Sequence, residues 1–296
     1  MQFALLAYGS WGVLALYWKQ LAHVPAYEQL VHRVVWAAAC LLALLAFRGK
    51  LGALVELVRD RAKRRRLLVS AGLIAINWFV FVYAVATDRV LHVSLGYYIN
   101  PIISVALGMV FLGERLRRLQ WAALAAALTG IAALLWWAGE LPWIGVSVAL
   151  AFGFYGLARK TLAVEALPAT TFETLVLSVP ALLGILYFEL GTGTGHFVRA
   201  GTWTTALLLA AGPFTALPIL WFAGAARRLP LSAIGFFQYI TPTTHFLFAV
   251  LLFGEPFGLG HQIAFACIWT GVGLFVLDRV LHSRALANDG EPPDSP

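Results

Sequence analysis

The chain has 296 residues, of which 61% are hydrophobic and only 12% charged, and its mean hydropathy is +0.82. A soluble domain could not cover so much apolar surface, so this composition predicts a polytopic membrane protein. The formal net charge of +7 comes from basic residues in short loops, which argues against a nucleic-acid-binding surface. Patterns typical of nucleotide, zinc or hydrolase chemistry are missing, so we expect neither an enzyme nor a cofactor.

Apolar runs separated by short loops predict ten membrane-spanning helices. Most runs are helical by length, because the strands of a membrane barrel would be about ten residues long and alternate in polarity. The first run has no basic leader or cleavage site, which argues against a removable signal peptide. The tail 282–296 is rich in Pro, Asp and Gly and is predicted to be disordered. The predicted spans are 2–20, 27–47, 67–87, 91–113, 119–137, 142–160, 169–189, 203–226, 231–253 and 261–281.

The distribution of basic residues predicts the orientation of these spans. Seventeen of the 21 Lys and Arg residues, Arg159 among them, fall after the even-numbered spans or at the C-terminal end. The opposite face has only Lys19, Arg89 and Arg199, and Arg33 lies inside a span. Because basic loops remain in the cytoplasm, both termini are predicted to be cytoplasmic. The run RDRAKRRR is then a loop that faces lipid headgroups.

A repeat organises the chain. The stretch 94–114, SLGYYINPIISVALGMVFLGE, returns at 235–255 as GFFQYITPTTHFLFAVLLFGE, displaced by 141 residues. The same offset relates further positions without any insertion, which divides the chain into halves of five helices at 1–137 and 142–281. Because five is odd, the second half enters the membrane from the other side. We therefore predict an all-α membrane protein with ten transmembrane helices in two inverted repeats.

Both copies of the repeat contain a proline in mid-span, Pro101 and Pro242. Proline cannot bond the carbonyl four residues earlier, which frees the carbonyls of Tyr97 and Gln238. Such groups must face protein, water or a ligand, so matched interruptions in two halves indicate a transport site. The alternative is a packing kink satisfied by a neighbouring polar side chain.

Ionisable groups inside spans are costly and indicate function. Three stand out, namely His32, Arg33 and Glu173. We expect Arg33 and Glu173 to flank a central cavity from opposite leaflets, without a direct bond between them. The alternatives are snorkelling side chains, structural bonds to backbone carbonyls and, for His32, an ordinary structural hydrogen bond.

Other polar and aromatic residues near mid-span complete the predicted site. Aromatic walls with a few hydrogen-bonding groups suit an amphipathic organic solute better than a bare ion. The alternative is helix packing with interhelical hydrogen bonds, which we expect for about half of them. The residues are Trp11, Asn77, Tyr97, Tyr98, Asn100, Tyr155, Gln238, Tyr239 and His245.

Five segments resemble RarD-type proteins of the EamA branch of the drug/metabolite transporter superfamily. The His32-Arg33 and Tyr98–Pro101 segments match the pattern of that family as they stand. The resemblance implies a ten-helix inner-membrane permease of two inverted EamA repeats, with a central cavity and no use of ATP. The segments are VPAYEQLVHRVVW, INWFVFVYAV, SLGYYINPIISVALGMVFLGERLRRLQW, FGFYGLARKTLAVEA and IGFFQYITPT.

These observations predict a secondary carrier that moves small organic metabolites or drug-like solutes by alternating access. Its expected partners are the solute and the lipid bilayer, with no nucleic acid. Substrate, direction, coupling ion and oligomeric state stay open. Two alternatives from other classes are a membrane sensor or assembly protein without transport, and a lipid flippase or scramblase.

Overall fold

A computed structural model describes residues 1–87, 89–138, 143–252 and 258–288, and within these ranges every regular element is a helix. A π-helical segment, Tyr187–Thr192, continues α8. The α-helices are α1 Gln2–Gln20, α2 Ala26–Phe47, α3 Leu51–Arg59, α4 Arg61–Ala86, α5 Val90–Leu112, α6 Arg118–Ala138, α7 Trp143–Thr161, α8 Ala166–Leu186, α9 His196–Arg199, α10 Thr202–Arg228, α11 Leu231–Gln238, α12 Ile240–Leu251 and α13 Leu259–Asn288.

Within the described residues, each predicted span coincides with a long helix or, for 231–253, with α11 and α12 together. Six helices of the described part are long and apolar enough to cross a membrane, and Gly96–Leu112 is a shorter apolar helix. The short helices α3 and α9 were not predicted. Helix α13 runs to Asn288, so the beginning of the segment predicted to be disordered is helical. The physical reason is that Gly and Pro first occur after this point.

The two prolines of the repeat have different local structures. Helix α5 runs through Pro101 without interruption. The second copy is divided at Tyr239, whose N–H donates to the Phe236 carbonyl at 3.3 Å, and Pro242 lies in the first turn of α12. The prediction of a broken helix is therefore confirmed for the second copy and wrong for the first, although no proline N–H can bond the Tyr97 carbonyl. Gly254 and Glu255, which close the second copy, lie outside the described residues.

The helix boundaries and contacts follow the 141-residue offset. Adding 141 to the bounds of α1 gives those of α7. Helix α2 packs on α8, α5 on α11 and α6 on α13, and each of these pairs joins a helix to its counterpart. The contacts of α1 with α10 and α12 correspond to those of α7 with α4 and α5, and α2–α10 corresponds to α4–α8. The packing thus repeats with the sequence.

Close approaches at glycine repeat in the same way. A Cβ atom added to Gly12 would lie 2.7 Å from Thr244, and one added to the equivalent Gly153 would lie 2.7 Å from Ile103, the equivalent of Thr244. Farther along, a Cβ on Gly130 would lie 2.8 Å from the Ala264 carbonyl. Small residues let helices approach this closely, which is how membrane bundles gain packing contacts.

The short helix α3 connects α2 to α4 and is strongly amphipathic. Leu57 is buried against Leu67 and Phe172, so one side of α3 packs on the protein. The Asp60 carboxylate then starts α4 by accepting hydrogen bonds from the N–H groups of Ala62 and Lys63 at 2.9 and 3.0 Å. The bond from the Lys63 N–H holds the pKa of Asp60 below its usual value, as expected for a helix N-cap.

Candidate functional site

Helix α2 carries Arg33 into the bundle between two tryptophans. The guanidinium carbon lies 4.8 Å from the Trp78 ring centroid and 5.6 Å from that of Trp18. These are cation–π distances, and such contacts hold an arginine without neutralising it. Among the described residues no carboxylate lies within ion-pair distance of Arg33, and its buried Nε has no hydrogen-bond partner. Arg33 therefore has no described counter-ion and has an unused N–H donor at Nε.

Two other predicted site residues lie around Arg33. The Tyr97 hydroxyl on α5 is within electrostatic range of the guanidinium. The Tyr97 ring stands edge-on to that of His245, with 6.4 Å between centroids, and His245 Nε2 lies 3.3 Å from the Trp11 carbonyl oxygen. Helix α12 thus contacts both α1 and α5 here. We name this cluster the Arg33 site: Trp18, Arg33, Trp78, Tyr97 and His245. The Trp11 ring packs instead on Tyr8, Phe152 and Phe222.

A second charged group, the Arg159–Glu173 network, joins α7 to α8. Arg159 Nη1 lies 3.3 Å from Glu173 Oε1, and both side chains are almost completely buried. The Tyr155 hydroxyl donates to Glu173 at 3.3 Å, and Arg159 also donates to the Thr170 hydroxyl at 3.2 Å. Buried ions require such partners. The placement of Arg159 in a cytoplasmic loop was wrong, because this contact draws its side chain inside.

The two charged sites occupy equivalent places in the two halves. Under the offset Trp18 corresponds to Arg159 and Arg33 to Thr174, so each half has one arginine at this place, supplied by a different helix. In the second half Glu173 neutralises the arginine, whereas no described carboxylate does so in the first. Arg33 and Glu173 form no ion pair with each other in this structure. Glu173 pairs with Arg159 of its own half instead.

His32 lies beside Arg33 in sequence but makes different contacts. The Trp36 indole N–H is 3.3 Å from His32 Nδ1, and the imidazole stacks on Phe197 at 4.8 Å between centroids. The imidazole is also buried. These contacts favour a structural role and leave His32 outside the Arg33 site.

Gln238 joins the two copies of the repeat. Its Nε2 donates to the Ser104 hydroxyl at 2.9 Å. Ser104 and Gln238 are the equivalents of His245 and Tyr97, so this bond repeats the Tyr97–His245 contact in the other half. Asn100 lies one turn before Ser104, and the side-chain oxygens of Asn100 and Gln238 are buried without a partner. Unused acceptors thus remain where α5 crosses α11.

The other predicted site residues hold helices together. Tyr98 packs edge-on to Phe265 of α13, and the equivalent Tyr239 packs on Phe236. Asn77 donates to the Val148 carbonyl at 2.9 Å and ties α4 to α7. A Cβ on Gly235 would lie 2.7 Å from the Pro101 carbonyl oxygen, so α5 and α11 touch backbone to backbone there. Pro242 is buried at the start of α12.

Sequence reasoning missed Trp18, Ser104 and Arg159. Trp18 and Arg159 lie near the ends of spans, where aromatic belts and topogenic arginines are the usual explanation. The 141-residue offset could have identified Trp18 and Arg159 as site residues. It aligns these two positions with each other, as it aligns His32 with Glu173. Among the described residues no group of three or more His, Cys, Asp or Glu side chains could hold a metal ion.

Comparison with known proteins gives consistent matches. The EamA-like transporter family matches residues 1–136. Protein RarD of Escherichia coli (strain K12) is 42% identical over 281 residues, which cover 95% of each chain. A protein of Vibrio cholerae named uncharacterized transporter is 44% identical over 95% of this chain and 93% of its own. A crystal structure 20% identical in sequence superposes with a TM-score of 0.74, covering 93% of this chain and 96% of the other, and shows the same fold.

Proposed function

The chain belongs to the RarD group of the EamA-like transporter family, and from this premise we propose a secondary carrier that moves small organic solutes across the bacterial inner membrane. The observation that carries the proposal is Arg33, a cation inside the bundle for which no described carboxylate provides neutralisation. An unpaired charge inside a membrane protein is suited to binding a solute reversibly.

We propose that the two halves form an inverted pair of five helices each. Reciprocal contacts support this, because Gly12 meets Thr244 as Gly153 meets Ile103, and such an exchange is the mark of a two-fold axis. Helices α1 and α7, which the six apolar spans do not include, each have 19 residues. They are about 28 Å long at 1.5 Å per residue, close to the ~30 Å of a hydrocarbon core.

The Arg33 site is proposed to bind an anionic group of the solute. The guanidinium lies within cation–π distance of two rings, and its planar fork of N–H donors suits a carboxylate or phosphate. Tyr97 and His245 add aromatic surface and hydrogen-bonding groups beside it. The unpartnered oxygens of Asn100 and Gln238 are proposed to bind donors of the same solute.

Alternating access is the proposed mechanism. Arg33 and Glu173 each lie seven residues after the first residue of their helix, α2 or α8, which is about 10 Å along the axis. In the inverted arrangement these helices start on opposite faces, so the Arg33 site faces the periplasmic side and the Arg159–Glu173 network the cytoplasmic side. The network then holds the inner side closed while Arg33 collects an anion from outside, or releases one.

The test begins with metabolite profiles of cells that overexpress the protein and cells that lack it. A solute whose level changes is then assayed for flux in proteoliposomes with wild type, Arg33→Gln and the control Arg48→Gln, an exposed arginine at the end of the same helix. We expect Arg33→Gln to lower flux at least ten-fold and the control to change it little. Binding without flux would favour a membrane sensor, and movement of labelled lipid a flippase or scramblase.

The topology has its own test. Single cysteines at Arg64 and Arg199, in a background without Cys40 and Cys267, are labelled from either side of the membrane. We expect Arg64→Cys to react only from the cytoplasm and Arg199→Cys only from the periplasm. Labelling of both from one side contradicts the inverted arrangement.

A further inference from the structure

We propose that a groove between the start of α4 and the end of α7 binds the phosphate of an anionic phospholipid from the cytoplasmic leaflet. The groove has a volume of about 560 Å³. Arg65 and Arg66 supply its charge, and Val69 and Leu162 supply apolar wall. A basic pocket that continues into apolar surface at the membrane face suits a lipid headgroup with its acyl chains.

Arg65 and Arg66 are the basic residues that line the groove, and the other basic residues near it are engaged elsewhere or lie outside its lining. Lys50 forms a 2.5 Å ion pair with a glutamate of another loop, and Lys63 lies within 4 Å of two carboxylates. Arg64 donates to the last turn of α3 at 2.7 Å. Arg65 and Arg66 have no ion pair or hydrogen bond with any described residue, and both are exposed. Their guanidinium groups are therefore free to bind a phosphate through paired N–H donors.

Helix α3 next to the groove has a free apolar stripe. Leu51, Val55 and Val58 lie on one side at helical spacing, and between 44% and 48% of each is exposed. The adjoining side packs on the protein through Leu57, and the third side carries Glu56. A short helix with protein, apolar and polar sides lies in the interface plane of a membrane. The stripe then rests among acyl chains at the depth of the groove.

The apolar wall of the groove favours a phospholipid over a free anion as its ligand. Val69 is 57% exposed, and the neighbouring Leu68 is 45% exposed, so the surface below the arginines is apolar. Thr161 adds no free donor, because its hydroxyl donates to the Leu157 carbonyl at 3.1 Å. Inorganic phosphate would use the two arginines and leave this surface bare, whereas a phospholipid covers it. The proposal rests on the cytoplasmic placement of this loop in the proposed function.

The experiment measures lipid binding by the purified full chain in micelles, by native mass spectrometry. Phosphatidylglycerol, phosphatidylcholine and inorganic phosphate are titrated separately into wild type, Arg65→Gln/Arg66→Gln and a control, Arg59→Gln/Arg61→Gln. The control removes the same charge from the same loop without touching the groove. At about 1 kcal/mol for each basic residue, we expect the groove variant to bind phosphatidylglycerol roughly 10- to 30-fold more weakly and the control less than three-fold.

Several results would overturn the proposal. They are equal loss in both double variants, equal binding of phosphatidylcholine by wild type, and displacement of phosphatidylglycerol by millimolar phosphate. If Arg65→Gln/Arg66→Gln does not fold, Arg65→Lys/Arg66→Lys replaces it, because it keeps the charge and removes the planar forks. Its affinity for phosphatidylglycerol should be below that of wild type, but no more than ten-fold below that of the control. The assay needs no transport, so a carrier with normal flux and no lipid preference loses this site but keeps its proposed function.

Discussion

The guanidinium of Arg159 lies 3.3 Å from the carboxylate of Glu173, and both side chains are almost completely buried. Removal of one partner leaves an uncompensated charge in the bundle. We therefore expect Glu173→Gln or Arg159→Met alone to destabilise the protein by roughly 3–5 kcal/mol. The double variant should recover much of this loss, because neither charge then remains. Unfolding in detergent, arranged as a double-mutant cycle, measures the coupling.

A zero coupling energy in that cycle would contradict the pairing. Tyr155→Phe is a milder probe of the same network, since it removes only the 3.3 Å hydrogen bond to Glu173. It should cost about 1.5–3 kcal/mol, the range for hydrogen bonds to charged groups. Lys63→Gln, at an exposed ion pair, serves as the control and should change stability little.

The cation–π contacts of Arg33 with two tryptophans lead to a prediction about solute affinity. Arg33→Lys keeps the positive charge but loses the planar group that lies 4.8 Å from the Trp78 ring. We expect KM of an anionic solute to rise about ten-fold and the maximal flux to change much less, because the charge that attracts the anion remains. Trp78→Leu should act in the same direction, by an amount near the 0.5–2 kcal/mol of a cation–π contact.

Two comparisons check this interpretation. Trp136→Leu, at a residue that is 85% exposed, should leave KM unchanged. An uncharged solute of the same size should be insensitive to Arg33→Lys. If KM of the anionic solute stays at the wild-type value in Arg33→Lys and Trp78→Leu, the solute does not bind at Arg33.

The sequence was sufficient for the long helices and for the 141-residue repeat, because both depend on patterns that recur along the chain. The bounds of α1 and α7 differ by the 141 residues that relate Tyr98 to Tyr239. It was also sufficient to place Arg33 inside a helix of the bundle, since a charge within an apolar run is conspicuous; its role in binding stays a prediction. Helix α3 was missed because its nine residues lie in a basic loop, where the count of charges hides an apolar stripe.

Partners across the fold could not be predicted from local pattern. Arg159 lies at the end of a span, where an arginine normally faces water, and only the packing of α7 on α8 brings it to Glu173. The break at Tyr239 and the continuity of α5 through Pro101 are equally non-local, because both prolines have similar neighbours in sequence. Contacts between helices, and not the local sequence, determine whether each helix continues or breaks near its proline.

The contact of Gly235 with the Pro101 carbonyl predicts that α5 and α11 tolerate no side chain between them. An added Cβ would lie 2.7 Å from that oxygen, and a backbone atom cannot move aside as a side chain could. Gly235→Ala should therefore cost about 1–3 kcal/mol, as overpacking does. Gly72→Ala is the control, because nothing lies within 4 Å of its added Cβ, and it should be neutral or stabilising. Equal melting temperatures of the two variants would show that α5 and α11 are farther apart.

The Glu28 carboxylate holds the segment between α8 and α10 in place. Its carboxylate is almost fully buried and accepts hydrogen bonds from the His196 backbone N–H at 2.9 Å and, with the imidazole protonated at Nδ1, from the ring at 3.0 Å. This tether joins α9 to the first turn of α2. Glu28→Ala should release α9, so amide hydrogens of residues 187–200 should exchange at least ten-fold faster in hydrogen-exchange mass spectrometry. Glu56→Ala, which removes an exposed carboxylate from α3, should leave those rates unchanged. Unchanged exchange in Glu28→Ala would mean that the Phe197 N–H bond to Glu189, at 2.8 Å, suffices to hold the segment.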